Sequence, residues 1–242
     1  MDVSMGYGSM TVLDDIEFKI YENEILVITG PSGCGKTTLV NLLAGIIKPT
    51  AGQITLKGSR VDPKTHNISY VFQDPSCIPW RTLRNDITIG LEIKGADRET
   101  VQRRRKEVID LVRLNGFEDY FPWQISGGMK QRVALARAYA TNPDFLIMDE
   151  PFGQLDAQTR YQMQVEIERI WEKEKKTIVF ITHNIEEAVY LATRIILLSK
   201  QPTKIQKEYR IDLPRPRDIT SREFLQLRAE ITEQYEAFEE FE

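Results

Sequence analysis

The stretch GPSGCGKTT, residues 30–38, follows directly on the apolar run ILVIT at residues 25–29. It matches the pattern G-x-x-x-x-G-K-[ST] of a phosphate-binding loop between a strand and a helix. Glycines let the backbone take positive φ and approach an anion closely, and a helix beginning near Lys36 would direct its N-terminal N–H groups at the same phosphates. A glycine turn that binds nothing is the alternative. The strand before the loop and the helical run LVNLLA after it favour nucleotide binding.

Each residue type in this loop suits the chemistry of a phosphate site. Lys36 supplies a cation for β- and γ-phosphates, and the Thr37 hydroxyl is a ligand of the kind that Mg²⁺ prefers. The residues predicted to surround the phosphates are Gly30, Pro31, Ser32, Gly33, Cys34, Gly35, Lys36, Thr37 and Thr38.

Composition limits the classes of protein to consider. The chain has 242 residues, 41% of them hydrophobic, which is enough for one large domain or a core with an added lobe. Its net charge of −4 argues against a general nucleic-acid binder. No apolar run approaches the roughly 18 residues of a membrane span, and no signal segment is recognisable, so we expect a cytosolic protein. Cys34 and Cys77 are too few for a disulfide framework and are predicted to be free thiols.

The hydrophobic pattern changes along the chain. Strands are predicted at residues 12–20, 25–29, 53–56 and 68–72, followed by helical spacing from 83 to about 137. In the helical part the basic run at residues 103–106 is predicted to be a solvated helix face, with contact to lipid or a partner as the alternative.

From Phe145 onward, short apolar strands predicted at residues 145–148, 177–181 and 194–199 alternate with helices. This alternation is typical of a parallel sheet covered on both faces, whose ligands bind beyond the carboxyl ends of the strands. A last helix is predicted after Ser221, with an apolar stripe that we expect to pack against the core; a regulatory or partner role is the alternative. The stripe contains Phe224, Leu227, Ile231, Tyr235 and Phe238.

Two further motifs carry polar groups suited to a nucleotide site. FLIMDE, residues 145–150, is an apolar strand ending in Asp149, a candidate Mg²⁺ ligand, and Glu150, a candidate base for an attacking water. Alone, this segment is better explained by a strand that ends in an exposed acidic turn. ISGGMKQR, residues 125–132, places a serine and two glycines at the start of a helix, which makes a second anion-binding terminus.

The motifs and their order resemble the nucleotide-binding subunit of ABC transporters. The resemblance rests on the phosphate loop, Gln73 in VFQDP, the ISGG segment, the FLIMDE strand and His183 in ITHN. It extends over the whole chain. It implies ATP and Mg²⁺ as the bound cofactors.

The same resemblance implies a role for each matching residue. Tyr7 would stack on adenine, Gln73 would touch Mg²⁺ and the attacking water, and His183 would contact the γ-phosphate. Ser126, Gly127 and Gly128 would cap the γ-phosphate held by another copy of the chain. Glu150 would act as general base, Lys36 would hold phosphate, and Asp156 in FGQLDAQTR would communicate between two sites. Thr37, Gln73 and Asp149 would be the metal-binding residues.

The sequence departs from the family pattern at a few places. Gln154 stands where a small residue is usual, Met129 where glutamine is usual, and Asn184 where aspartate is frequent. The segment before Tyr7 is also short, with only residues 1–5 in place of the family's usual extra strand. We expect these differences to affect coupling between sites rather than phosphate contacts.

The implied fold is an α/β P-loop NTPase of the RecA-like type. It has a mostly parallel sheet, an N-terminal antiparallel β subdomain and an inserted α-helical subdomain. The predicted parts of this single ATP-binding domain are residues 1–82, 83–137 with the ISGG motif, 138–200 and 201–242.

The implied function is ATP hydrolysis that drives an importer, with the chain peripheral at the cytoplasmic face of the membrane. IPWRTLRNDITIGLEIKG and the tail LPRPRDITSREFLQLR resemble the subfamily that imports nitrate, sulfonates and taurine and includes carriers of vitamin precursors. The implied partners are a second copy of the chain, integral permease subunits that dock near Trp80, and indirectly an extracytoplasmic substrate-binding protein, with no nucleic acid. A soluble ABC ATPase acting on ribosomes or DNA is the alternative, and a small-molecule kinase a weaker one.

Overall fold

A computed structural model describes residues 3–237 of the chain. The elements in chain order are β1 (Val3–Tyr7), β2 (Met10–Ile16), β3 (Ile25–Thr29), α1 (Lys36–Leu43), β4 (Thr55–Leu56), β5 (Ser59–Arg60), β6 (Ile68–Val71), α2 (Leu83–Ile87), α3 (Ile89–Ile93), α4 (Arg98–Leu111), α5 (Gly127–Ala140), β7 (Phe145–Asp149), α6 (Ala157–Glu174), β8 (Thr177–Ile181), α7 (Ile185–Leu191), β9 (Arg194–Leu198), β10 (Ile205–Arg210) and α8 (Arg222–Ala237). A short 3₁₀ helix spans Pro122–Gln124. The described chain divides into two compact units, of which the second is Asn67–Lys175 and the first is the remainder.

The first unit is built on a mostly parallel set of strands in the order β10, β9, β3, β8. Strand β3 pairs in parallel with β8 and β9, while β10 is antiparallel to β9. All five residues of β3 are buried, which is why its sequence is apolar without the alternation of a half-exposed strand. The sequence prediction of parallel strands is confirmed here, and β3 and β8 have the predicted bounds.

The N-terminal part of the first unit is antiparallel, as predicted. Strand β1 pairs with β2, and the two-residue strands β4 and β5 pair with each other. The expectation that no strand lies before Tyr7 was wrong, because Val3 and Met5 are buried in β1 and pair with β2. Strand β2 ends at Ile16, earlier than predicted, and Asp15 takes a left-handed φ of 55° near its irregular register.

Helix α8 closes the first unit along the chain. The hydroxyl of Ser221 accepts a hydrogen bond from the Phe224 N–H at 3.3 Å, which confirms the predicted cap. Phe224 and Ile231 are fully buried, whereas Leu227 and Tyr235 are partly exposed. The predicted last member of the stripe, Phe238, lies outside the described residues.

The second unit contains the parallel pair β6 and β7 and helices α2 to α6. Helix α4 begins at the Asp97 cap and buries Val108 and Ile109. Only part of its basic run is a solvated face. Arg104 donates to the carbonyls of Ala140, at 3.1 Å, and Tyr139, and Arg105 donates to the Thr88 hydroxyl.

These elements confirm the predicted α/β class with mostly parallel strands and an antiparallel N-terminal part. The helices predicted between residues 83 and 137 are present, and the last of them, α5, continues to Ala140. Among residues 3–237, no helix has both the length and the apolar character required to cross a membrane.

Candidate nucleotide site

Two glycines of the phosphate loop are required by their surroundings. The loop connects β3 to α1, and Gly35, the residue before the helix, has a φ of 101°. A Cβ on Gly35 would lie 2.8 Å from Val12 Cγ1, and a Cβ on Gly30 would lie 2.9 Å from Leu198 Cβ. Both are closer than two carbon atoms can approach, so the loop keeps this path only with glycine.

Lys36 lies beneath the loop and is only 8% exposed. Its Nζ donates to the carbonyls of Gly30 and Pro31, both at 2.8 Å. On the outer side Ser32, Gly33 and Thr37 are exposed, and a Cβ on Gly33 would meet no atom within 4 Å. The loop therefore presents an open outer face, with its cation held from the inner side, as a phosphate cradle requires.

Cys34 is buried within the same loop. Burial raises the pKa of its thiol, and the neighbouring Lys36 opposes that shift without cancelling it. The thiol is therefore protonated at neutral pH and serves as a small apolar side chain.

His183 follows β8, and the phosphate loop follows the adjacent parallel strand β3. Both segments leave the same edge of the first unit's strands, where ligands bind in such sheets. The His183 side chain is exposed. Asn184 caps α7 by accepting from the Glu187 N–H at 3.2 Å, so the departure from aspartate at this position preserves a helix cap.

Tyr7, the predicted adenine contact, is the last residue of β1 and is 52% exposed. Its ring is available for stacking on a base.

In the second unit, the acidic pair stands at the end of β7. Asp149 accepts a hydrogen bond from the Tyr70 hydroxyl at 2.8 Å. Burial and the Asp149 charge raise the pKa of Tyr70, which keeps its hydroxyl a donor. Glu150 has a left-handed φ of 44°. For a residue other than glycine this conformation costs about 1–3 kcal/mol.

Gln73 lies near the same edge of the second unit. Val71 pairs with Met148, so Gln73 and Asp149 leave neighbouring parallel strands on one side. A Cβ on Gly153 would lie 2.6 Å from Gln73 Nε2, which means that the Gln73 amide rests directly against the Gly153 backbone. The side chain of Gln73 is otherwise exposed.

The ISGG segment begins α5 as predicted. Ser126 is the cap, and its hydroxyl accepts from the Met129 N–H at 3.3 Å. Ser126 and Gly127 are exposed, and Gly128 is partly buried. A Cβ on Gly128 would lie 2.8 Å from the Cγ2 methyl group of Thr159. The N-terminus of α5 is thus open to solvent at Ser126 and Gly127.

Asp156 caps α6. It accepts from the Thr159 N–H at 3.0 Å and from the Thr159 hydroxyl at 2.7 Å. These two hydrogen bonds hold the pKa of Asp156 below its usual value.

A match to the model of the ABC transporter family covers residues 13–153, more than half of the chain. The chain belongs to the ABC transporter family. Members of this family hydrolyse ATP, and the chain is an ATPase of the ABC type.

Several curated ABC ATPases are similar over most of this chain. An uncharacterised ABC transporter ATP-binding protein of Methanocaldococcus jannaschii is 49% identical over 90% of this chain and 82% of its own length. The aliphatic sulfonates import ATP-binding protein of Bacillus thuringiensis is 41% identical over 95% of this chain and 90% of its own. The taurine import ATP-binding protein of Pseudomonas savastanoi is 46% identical over 84% and 78%.

Solved ABC cassettes have the same fold. A dimeric bacterial ABC transporter cassette superposes with a TM-score of 0.73 and 31% identity, covering 87% of this chain and 97% of that one. A second structure of that cassette, described as a post-hydrolysis state with ADP and phosphate bound, superposes equally well.

Two residues that contact candidate site residues, Tyr70 and Gly153, were not predicted from the sequence. The sequence predicted only that Tyr70 belongs to a strand. It gave no role to Gly153, which precedes Gln154. Nothing in their spacing indicated that they meet Asp149 and Gln73, because those contacts depend on the pairing of β6 with β7 and on the path of the loop after β7.

The predicted metal-binding residues supply suitable oxygen ligands. Thr37 offers a hydroxyl, Gln73 an amide carbonyl and Asp149 a carboxylate, which are hard ligands of the kind that Mg²⁺ prefers. The donor set fits this metal, and no soft ligand is among the three.

Proposed function

We propose that this chain is the ATP-hydrolysing subunit of an importer for a small solute and acts on permease subunits that are separate chains. The observation that carries the proposal is the 41% identity to an aliphatic sulfonate import protein, which extends over 95% of this chain. The 46% identity to a taurine import protein supports the same class of solute. The proposal includes nitrate and vitamin precursors as solutes. In an importer of this kind the solute would not contact this subunit, so the sequence of the subunit does not distinguish among them.

The loop at residues 30–38 would hold the phosphates of ATP on its open face. Lys36 would contribute the positive charge, and the exposed ring of Tyr7 would stack on adenine. Thr37, Gln73 and Asp149 would hold Mg²⁺, which supplies charge neutralisation at the phosphates when it is bound.

Glu150 would act as the general base for hydrolysis. Its carboxylate would take a proton from water as the water oxygen attacks the γ-phosphorus. The bond from that phosphorus to the β–γ bridging oxygen would break, leaving ADP and inorganic phosphate. Gln73 would orient the water, and His183 would donate to the γ-phosphate.

We further propose that a second copy of the chain completes each ATP site. The exposed start of α5 at Ser126 and Gly127 supports this, since a helix N-terminus is suited to a phosphate anion. Asp156 would lie at the contact between the two sites. ATP would favour the closed dimer because it binds that state better, and closure would move the permease.

A surface in the second unit would receive the permease. A cavity of about 350 Å³ is lined there by residues that include Gln73, Cys77, Pro79, Trp123 and Gln154. Trp80 is 78% exposed and Trp123 71% exposed. Large exposed aromatics beside a cavity are typical of protein interfaces. In this proposal the chain is peripheral at the cytoplasmic face of the membrane, and an extracytoplasmic binding protein delivers the solute.

Co-purification with the permease tests the transport role. The chain is co-expressed with a tagged integral membrane permease, and the amount recovered on the tag is measured for wild type, Trp80→Ala and the control Ile46→Ala. Ile46 is also a large exposed side chain, at 60%, but belongs to the first unit. We expect Trp80→Ala to lower recovery at least about tenfold, as loss of a tryptophan hot spot does, and Ile46→Ala to leave it unchanged.

Failure of the wild-type chain to bind any permease, together with association with ribosomes or DNA, would favour the non-transport ABC ATPase instead. Equal recovery of Trp80→Ala and wild type would show that the permease docks elsewhere.

A further inference from the structure

Residues that follow β9 in the chain donate hydrogen bonds to three carbonyls of the phosphate loop. Gln201 Nε2 donates to the Gly33 carbonyl at 2.7 Å, and the Thr203 hydroxyl donates to the Cys34 carbonyl. The Tyr235 hydroxyl, on α8, donates to the Gly30 carbonyl at 3.2 Å. All three contacts lie within the first unit. Each of these hydrogen bonds fixes the orientation of one peptide carbonyl of the loop.

The contact from Tyr235 differs from the other two because it shares its acceptor with Lys36. Lys36 Nζ donates to the Gly30 carbonyl at 2.8 Å, and Gly30 is buried. A carbonyl oxygen accepts two hydrogen bonds, so both donors are accommodated. If Lys36 turned its proton to a phosphate, the buried Gly30 carbonyl would still keep Tyr235 as a donor.

This second donor has an energetic consequence. A buried carbonyl that loses its last hydrogen-bond donor is left unsatisfied, which costs free energy. Because Tyr235 still donates to the Gly30 carbonyl, this cost does not arise when Lys36 moves from that carbonyl to a phosphate. Of the two side chains among residues 3–237 that donate to the Gly30 carbonyl, only Lys36 would remain without the tyrosine hydroxyl, and the loop would hold it more tightly.

The packing of α8 against its neighbours sets the position of Tyr235. Ile231, one helical turn earlier, is fully buried, and Arg228 forms an ion pair of 2.6 Å with Glu186 of α7. On the other side Glu230 pairs with Lys207 of β10 at 3.1 Å. The helix is therefore fixed at three points within two turns of the tyrosine.

We propose that Tyr235 is a positioning residue for Lys36. Its hydroxyl holds the Gly30 carbonyl so that Lys36 can bind the β- and γ-phosphates of ATP without leaving that carbonyl unpaired. The apolar stripe of α8 docks the helix, and the tyrosine at its end adjusts the phosphate site. This proposal rests on the proposed role of Lys36 at the phosphates.

A double-mutant cycle on the full chain tests it. The dissociation constant for AMP-PNP with Mg²⁺ is measured by calorimetry for wild type, Tyr235→Phe, Lys36→Ala and the double variant. Tyr235→Phe keeps the ring and removes only the hydroxyl, and we expect it to weaken binding about five- to tenfold, the usual effect of one hydrogen bond. In the Lys36→Ala background the same change should have no further effect.

Glu233→Gln is the matched control, because Glu233 lies on the same helix as Tyr235 and its side chain is exposed to solvent. We expect its AMP-PNP affinity to equal that of wild type. Thermal unfolding of every variant separates a loss of affinity from a loss of folded protein.

The outcomes distinguish this inference from the proposed function. If Lys36→Ala weakens binding but Tyr235→Phe does not, the tyrosine only packs and the inference is overturned. An equal loss from Tyr235→Phe with and without Lys36 would also overturn it, because the hydroxyl would then act independently of the lysine. Unchanged affinity in Lys36→Ala would instead contradict the proposed role of the lysine itself.

Discussion

The phosphate loop and the ISGG segment are both helix starts suited to binding an anion, but they differ in their contacts with the rest of the chain. Side chains from later in the same chain donate hydrogen bonds to three carbonyls of the loop, those of Gly30, Gly33 and Cys34. At the ISGG segment, Ser126 and Gly127 are exposed, and the cap bond to Met129 is internal to the helix start. One site is shaped by intramolecular contacts and the other is presented outward. This difference suits a loop that keeps its nucleotide and a segment that serves a neighbouring chain.

The glycines of the two segments offer the strongest way to break this comparison. Gly35→Ala would place a Cβ 2.8 Å from Val12 at a φ of 101°. The loop must then shift, and we expect AMP-PNP affinity to fall at least about a hundredfold, because two or more charge-assisted hydrogen bonds to phosphate are lost. Strain of about 1–3 kcal/mol should also lower the melting temperature.

Gly127→Ala is the matched change in the exposed segment. Its Cβ would have only Leu155 near, at 3.7 Å, which is an ordinary contact. Stability should stay within about 0.5 kcal/mol of wild type, as for most surface changes, and AMP-PNP affinity of the chain should be unchanged. ATP hydrolysis should nevertheless fall, since the new methyl group would stand where a neighbouring phosphate is proposed to bind. An equal loss of stability in Gly35→Ala and Gly127→Ala would contradict the difference between the two segments.

The two serine caps sharpen the comparison with a smaller effect. Ser126 caps α5 and Ser221 caps α8, and each accepts one N–H at 3.3 Å. Replacing either by alanine should cost about 1 kcal/mol of stability. Only Ser126→Ala should also lower hydrolysis, by about tenfold, because its hydroxyl is proposed to serve a second role at the γ-phosphate. Steady-state ATPase rates and thermal unfolding of both variants test this, and a matching loss of activity in Ser221→Ala would argue against that role.

The sequence predicted best the elements that are decided by local pattern. Strands β3 and β8 have the predicted bounds, since continuous apolar runs flanked by polar residues allow few alternatives. Strand β1 was missed because it contains Gly6, has no continuous apolar run and gains its stability by pairing with β2. Pairing across a sheet is not visible in one short segment.

The candidate site was predicted by residue type but not by environment. The phosphate loop, the ISGG helix start and the acids after β7 occur where the motifs indicated them. The left-handed φ of Glu150 and the hydrogen bond from Tyr70 to Asp149 depend on tertiary packing and had no sequence signal. Tyr235 was recognised as part of an apolar stripe, but its contact with Gly30 joins residues far apart in the chain.

The most direct test of the account is sedimentation of Glu150→Gln with Mg²⁺ and ATP. Removing the general base should slow hydrolysis at least about a hundredfold while ATP still binds. The account predicts that this variant then sediments at twice the mass of one chain, and that adding Ser126→Ala returns it to the mass of one chain. A Glu150→Gln chain that remains monomeric with ATP bound, or that hydrolyses ATP at a near wild-type rate, would contradict the account.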